Sequence, residues 1–123
     1  MIKRVVVAGC RDYNNYEQAR EFIELCINKI KKENEIVFLS GDCRGADALG
    51  IRFAKEGGFR IEHYPAQWQK YGKSAGPKRN EIMAQRCDFV ICFWDGKSRG
   101  TRSMIDLAQK YKREIRIKMI KCE

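Results

Sequence analysis

A chain of 123 residues with 44% hydrophobic content is long enough for one compact domain over residues 1–123 and too short for two. Charged residues make up 33%, no Ser, Gln or Pro tract appears, and no apolar run approaches the roughly 20 residues that span a bilayer, which excludes disordered and membrane-spanning classes. A net charge of +9 favours phosphate-bearing or polyanionic partners and is silent about fold.

Five short apolar, β-branched runs alternate with helical patterns, which predicts a parallel sheet covered by helices on both faces. The first run, 2–8, is continuously apolar at Val5–Val7, as a strand buried on both faces should be. Tyr16, Ala19, Phe22, Ile23, Cys26, Ile27 and Ile30 then recur at steps of three and four, the stripe of an amphipathic helix capped by Asn14 or Asn15. A second strand is expected over 36–40 and a second helix from about Ala46 to Glu56, closed by Gly57-Gly58. The third strand, 59–64, alternates at Arg60-Ile61-Glu62 like an edge strand, and a third helix is expected to begin at Pro77 with Ile82, Met83 and Cys87 inward. The fourth strand, 89–94, is apolar throughout and therefore central. A fourth helix follows Gly100-Thr101 with Met104, Ile105 and Ala108 on one side, and the last strand, 115–120, alternates at Arg116-Ile117-Lys118. Right-handed crossovers with two helices per face give strand order 3-2-1-4-5, an α/β three-layer sandwich with its switch point between strands one and four.

Six cysteines (Cys10, Cys26, Cys43, Cys87, Cys92, Cys122) are scattered without a C-x-x-C pair and read as reduced thiols, in keeping with a cytoplasmic protein that lacks an export signal. The single histidine, His63, stands at a strand end with no ligating partner in sequence, so neither a metal nor a cofactor is expected. Nine Lys/Arg between Lys97 and Lys121, against Asp106 and Glu114, read first as a solvated basic face.

Ligands in such sheets bind beyond the C-terminal ends of the strands, and every segment leaving that edge carries informative residues. After strand one comes Gly9-Cys10-Arg11-Asp12-Tyr13, and after strand two Gly41-Asp42-Cys43-Arg44-Gly45-Ala46-Asp47, which opens directly into a helix. Glycines permit close backbone approach, the helix start presents free N–H groups, and Arg11 and Arg44 supply charge-assisted bonds to a phosphate. After strand four, Asp95-Gly96-Lys97-Ser98-Arg99-Gly100-Thr101 opens another helix and has the makings of a phosphate cradle without matching the Walker pattern. Between strand three and its helix, Trp68 and Tyr71 offer rings for base stacking or for packing the long loop onto the domain. Arg79 and Asn80 lie at the helix start, and Arg79 shares a face with Met83 that turns it towards the sheet edge. Asp12, Asp47, Glu81 and Asp95 are the acids near the crevice, each a general acid–base candidate or a partner for arginine.

Together, Gly9-x-Arg11-Asp12-Tyr13, Ser40-Gly41-x-x-Arg44-Gly45-Ala46-Asp47, Ala75-Gly76-Pro77-x-Arg79-Asn80 and Phe93-Trp94-Asp95-Gly96-x-Ser98-x-Gly100-Thr101 resemble the YspA/YpsA-related branch of the SLOG superfamily. That superfamily includes the DNA-processing DprA/Smf proteins and the "lonely guy" phosphoribohydrolases. The resemblance implies a Rossmann-like domain that binds a nucleotide or nucleotide-derived ligand, often as a homodimer. It places the ligand among Gly9, Arg11, Gly41, Arg44, Gly45, Asp47, Trp68, Arg79, Asn80, Asp95, Ser98, Gly100 and Thr101. An N-glycosidic nucleotide hydrolase is the enzymatic alternative, with Arg79, Glu81 and Asp95 as candidate catalytic residues. The position of the phosphoribohydrolase glutamate is here Met104, whose thioether takes no proton. Single-stranded nucleic-acid binding is the third reading, favoured by the basic excess.

Overall fold

The computed structural model describes residues 1–121. Five parallel strands, β1 (Ile2–Gly9), β2 (Glu35–Ser40), β3 (Arg60–His63), β4 (Phe89–Trp94) and β5 (Glu114–Met119), form one sheet in the expected order 3-2-1-4-5. Its register pairs Val6 of β1 with Leu39 of β2 on one side and Val90 of β4 on the other. Because successive side chains of a strand point to opposite faces, β1 feeds both layers. Val5 and Val7 pack with Ile36, Phe38, Ile91 and Phe93 under α1 (Tyr16–Ile27) and α2 (Ala46–Glu56). Val6 and Ala8 pack with Val37, Leu39, Val90 and Cys92 on the other face, under α4 (Ala75–Arg86) and α5 (Arg99–Lys110). Each fully buried side chain of Val, Ile or Phe size contributes about 1.5–3 kcal/mol.

Asn15 is the helix cap, its side-chain oxygen accepting from the Gln18 N–H at 3.1 Å. Asn15→Ala is expected to cost about 1 kcal/mol, read as a melting temperature lower by roughly 4 °C; an unchanged melting curve would assign the cap no energetic role.

Several boundaries differ from the sequence reading. Ile30 falls in a 3-10 turn beyond the end of α1. Between β3 and α4 the chain forms a one-turn helix, α3 (Trp68–Tyr71), and a 3-10 turn, so α4 begins at Ala75 and Pro77 lies within its first turn. Ile82 is 41% exposed, because the inward stripe of α4 runs through Ala75, Gly76, Arg79, Met83 and Ala84. α5 begins at Arg99, so Gly100 and Thr101 are inside its first turn. His63 has a partner that linear reading did not supply: its Nδ1 lies 2.6 Å from an Asp42 carboxylate oxygen, since β2 and β3 are neighbours and both side chains leave the same edge.

Cys26, Cys43, Cys87 and Cys92 are free thiols, and Cys122 lies outside the described residues. Burial pushes the thiols of Cys26 and Cys87 up to about 11 and that of Cys92 to about 12, so all three are protonated at neutral pH. No helix among the described residues is long and apolar enough to cross a membrane.

Candidate functional site

The site is built where β1, β2 and β4 end. The β1 segment turns at once, with Cys10 N–H donating to the Phe93 carbonyl at 3.0 Å, and Tyr13 anchors it from below. The Tyr13 ring is buried and stacked on Phe93 at 5.0 Å, and its hydroxyl donates to Gln18 at 2.6 Å. Arg11 and Asp12 are thereby left exposed at the rim.

The β2 segment locks onto this turn through backbone. Ala46 N–H donates to the Cys10 carbonyl at 3.1 Å, which brings Gly45 against Cys10 and Arg11 so closely that a Cβ there would collide with their backbone atoms. Gly45 also has φ +80°, so no other residue satisfies both the conformation and the approach. The result is that the first turn of α2 faces the β1 turn across a fixed gap. Gly41 has a different reason to lack a side chain: a Cβ would meet the Arg79 guanidinium at 2.5 Å.

Arg79 comes from the second turn of α4 and is buried, at 8% exposure. Its Nη1 donates to the Gly41 carbonyl at 2.5 Å, its Nε to the Asn80 side-chain oxygen at 2.9 Å, and its Nη2 reaches the Cys43 sulfur at 3.6 Å. All three partners are neutral. No carboxylate among the described residues forms an ion pair with it, although a guanidinium brings five donors and a full charge. The neighbouring charge is Asp47, itself buried at 8% exposure, with its carboxylate accepting from the Cys43 N–H at 3.4 Å. Desolvation pushes the Asp47 carboxyl up to about 6 in spite of the nearby Arg79.

The β4 segment is shaped by its own side chains. Asp95 accepts from the N–H groups of Lys97 at 2.9 Å and Ser98 at 2.8 Å, and these bonds hold its carboxyl below the usual carboxylate range. The Trp94 indole N–H donates to the Ser98 carbonyl at 3.1 Å. The chain is thus aimed into α5 with Ser98 as a cap residue whose side chain makes no capping bond and whose hydroxyl accepts from Thr101.

These segments enclose one hollow of about 400 Å³, with Gly9, Arg11, Arg44, Asp47, Arg79, Asn80, Asp95, Ser98, Gly100 and Thr101 all on its wall. Arg79, Arg44 and the first turn of α5 therefore share one cavity. Gly41 and Gly45 stand behind that wall, one as an acceptor for Arg79 and the other as a backbone spacer. Trp68 and Glu81 lie outside it. Ala8, Cys43, Met83 and Met104 line it without having been assigned to it from sequence. For Met83 and Met104 the signal was present in the helical stripes that turn them inward, but a stripe does not say whether it meets core or cavity. At the rim, Arg44 and Asp12 form an exposed pair at 3.4 Å, a contact worth little in water. No cluster of metal-ligating side chains is present among the described residues.

The geometry has counterparts. A solved structure of DNA processing protein A (DprA) from Streptococcus pneumoniae superposes with a TM-score of 0.68 at 23% identity, over 95% of this chain and 50% of that one. The DprA of Helicobacter pylori, in a structure describing its single-stranded DNA binding mode, superposes with a TM-score of 0.63 at 20% identity, over 94% of this chain and 64% of the other. The present chain thus spans between half and two thirds of those proteins, and the likeness establishes a shared Rossmann-like fold. No curated protein matches. A family profile described as YspA, cpYpsA-related SLOG family matches residues 3–71, from β1 through the β2 loop to α3. With more than half of its length under that profile and the family's fold in place, the chain belongs to the YspA, cpYpsA-related SLOG family.

Proposed function

We propose that the hollow binds a nucleotide or nucleotide-derived ligand through its phosphate. The observation that carries this reading is Arg79, a buried guanidinium satisfied only by neutral acceptors at the wall of a cavity into which the first turns of α2 and α5 open. Burying a charge costs several kcal/mol unless it is matched, and an incoming phosphate supplies the match. In this reading Arg79 and the N–H groups at the start of α5 hold the phosphate. Arg11 and Arg44, both exposed, adjust at the rim, and Ala8, Met83 and Met104 offer an apolar floor to the sugar or base. About 400 Å³ is within the range of small-ligand sites.

Thermal melting with a panel of nucleoside monophosphates tests this. A ligand at about 100 times its Kd is expected to add about 2.7 kcal/mol of stability, with the gain lost in Arg79→Ala. No shift with any nucleotide would refute the proposal. Release of free base in the same incubations would move the reading to an N-glycosidic hydrolase, for which Asp47 supplies a wall carboxyl raised towards neutrality.

A second reading, single-stranded nucleic-acid binding, is supported by the net charge of +9 and by the fold shared with the Helicobacter pylori protein. It predicts an affinity that falls steeply with salt.

A further inference from the structure

The connection between β3 and α4 builds a second surface, just outside the hollow. From Tyr64 to Asn80 the sequence contains Lys70, Lys73, Lys78 and Arg79 and no acidic residue. Three of these, the lysines, are exposed. Among them stand two exposed rings, Trp68 at 52% and Tyr71 at 37%. The Lys70 ammonium lies 5.0 Å and the Lys78 ammonium 4.7 Å from the centre of the Tyr71 ring. Trp68 leans over Gly76: a Cβ at that glycine would be 3.4 Å from the far edge of the indole and 4.0 Å from Nη2 of Arg79. The indole and the guanidinium that borders the hollow therefore both approach the same glycine.

Exposed indole and phenol faces lose free energy in water unless something stacks on them, and a wholly apolar partner would have to strip water from three ammonium groups. A chain that alternates flat aromatic faces with regular negative charge meets both demands. We propose that Trp68 and Tyr71, flanked by Lys70, Lys73 and Lys78, form a shelf on which single-stranded nucleic acid stacks its bases as it passes the mouth of the hollow. The proposal rests on the second reading above and is separable from the nucleotide pocket, because none of these five residues lines the cavity.

The test is a titration of the whole protein against a fluorescent 15-nucleotide oligothymidylate at several salt concentrations. Trp68→Ala is expected to weaken binding roughly tenfold or more, while Trp68→Phe, which keeps a flat face, retains most of it. Replacing Lys70, Lys73 and Lys78 together by Gln should flatten the dependence of log affinity on log salt by about 2, from roughly 0.7 per lost phosphate contact. Nucleotide-induced thermal stabilisation should be unchanged in all three variants. If the wild-type protein binds no single strand, the shelf and the nucleic-acid reading fall together. If it binds and the variants bind equally well, the shelf alone falls. Equal competition by a polyglutamate of the same length would also overturn it, by showing that charge without stacking accounts for the surface. Should Trp68→Ala fail to fold, Trp68→Leu, which keeps apolar bulk but removes the flat face, carries the same decision: retained affinity there overturns the shelf.

Discussion

Arg79→Met is expected to weaken the binding of a phosphate-bearing ligand about 30-fold or more, because a truncated buried charge pair costs about 2–5 kcal/mol. The same substitution should lower stability by about 2 kcal/mol. Methionine fills much of the aliphatic volume, but the Gly41 carbonyl and the Asn80 oxygen each lose a charge-assisted bond worth about 1.5–3 kcal/mol, partly offset by no longer burying the guanidinium. Asp47 loses the neighbouring cation that favours its ionised form and becomes harder still to ionise. For that reason Asp47→Asn should rescue part of the loss, and the double variant should be more stable than additivity predicts by about 1 kcal/mol. Urea denaturation of the four proteins, together with a nucleotide titration of each, measures both effects. Undiminished nucleotide affinity in Arg79→Met would remove the anchor on which the proposed function stands.

Asp47→Asn alone is expected to make the protein more stable at neutral pH. The folded-state value of about 6 lies above the ordinary 3.8, so the native state holds a proton that the unfolded chain has already released across that window. Stability therefore falls as pH rises from about 4 to about 6, and above that the ionised carboxylate costs up to about 3 kcal/mol. Asparagine keeps an oxygen for the Cys43 N–H and carries no charge to desolvate. The variant and the wild type should converge in stability near pH 3 and separate by pH 7. Ligand binding runs in the same direction: protonation below about pH 6 leaves Arg79 unopposed, so anion affinity should rise on acidification in the wild type and stay flat in the variant. A phosphodiester or sulfate probe is needed, because a phosphomonoester titrates near pH 6 itself. Parallel pH profiles for the two proteins would show that Asp47 does not titrate in this range. A carboxylate kept at such a cost beside an arginine is the pattern of a site in which stability has been traded for function.

What could be read in the linear order, and what could not, divides along the range of the forces involved. The five strands, their parallel pairing and the order 3-2-1-4-5 were legible, because hydrophobic period is set by near neighbours and crossover handedness leaves few topologies. The three loops that form the hollow were legible too, since glycines and basic residues at strand ends mark them locally. The inward turn of Arg79 followed from its four-residue spacing to Met83. Other features depend on atoms far apart in sequence. Gly41 accepts from Arg79 across 38 residues, and Asp42 meets His63 across 21, so no local pattern announces either bond. Trp68, at the start of the one-turn helix α3, lies outside the cavity wall, a placement that its loop position in the sequence does not reveal. Glu81 lies off the cavity wall although it is on the same helix as Arg79, and Met104 lines the wall from α5. The sequence alone determined the five strands, the four long helices and which edge of the sheet is chemically rich, because these follow from periodicity and turn chemistry. Only the tertiary structure decided which side chains share the cavity, how Arg79 is satisfied and why Asp47 is hard to ionise. Those outcomes depend on helix rotation, on contacts between distant segments and on exclusion of water, none of which a linear pattern contains.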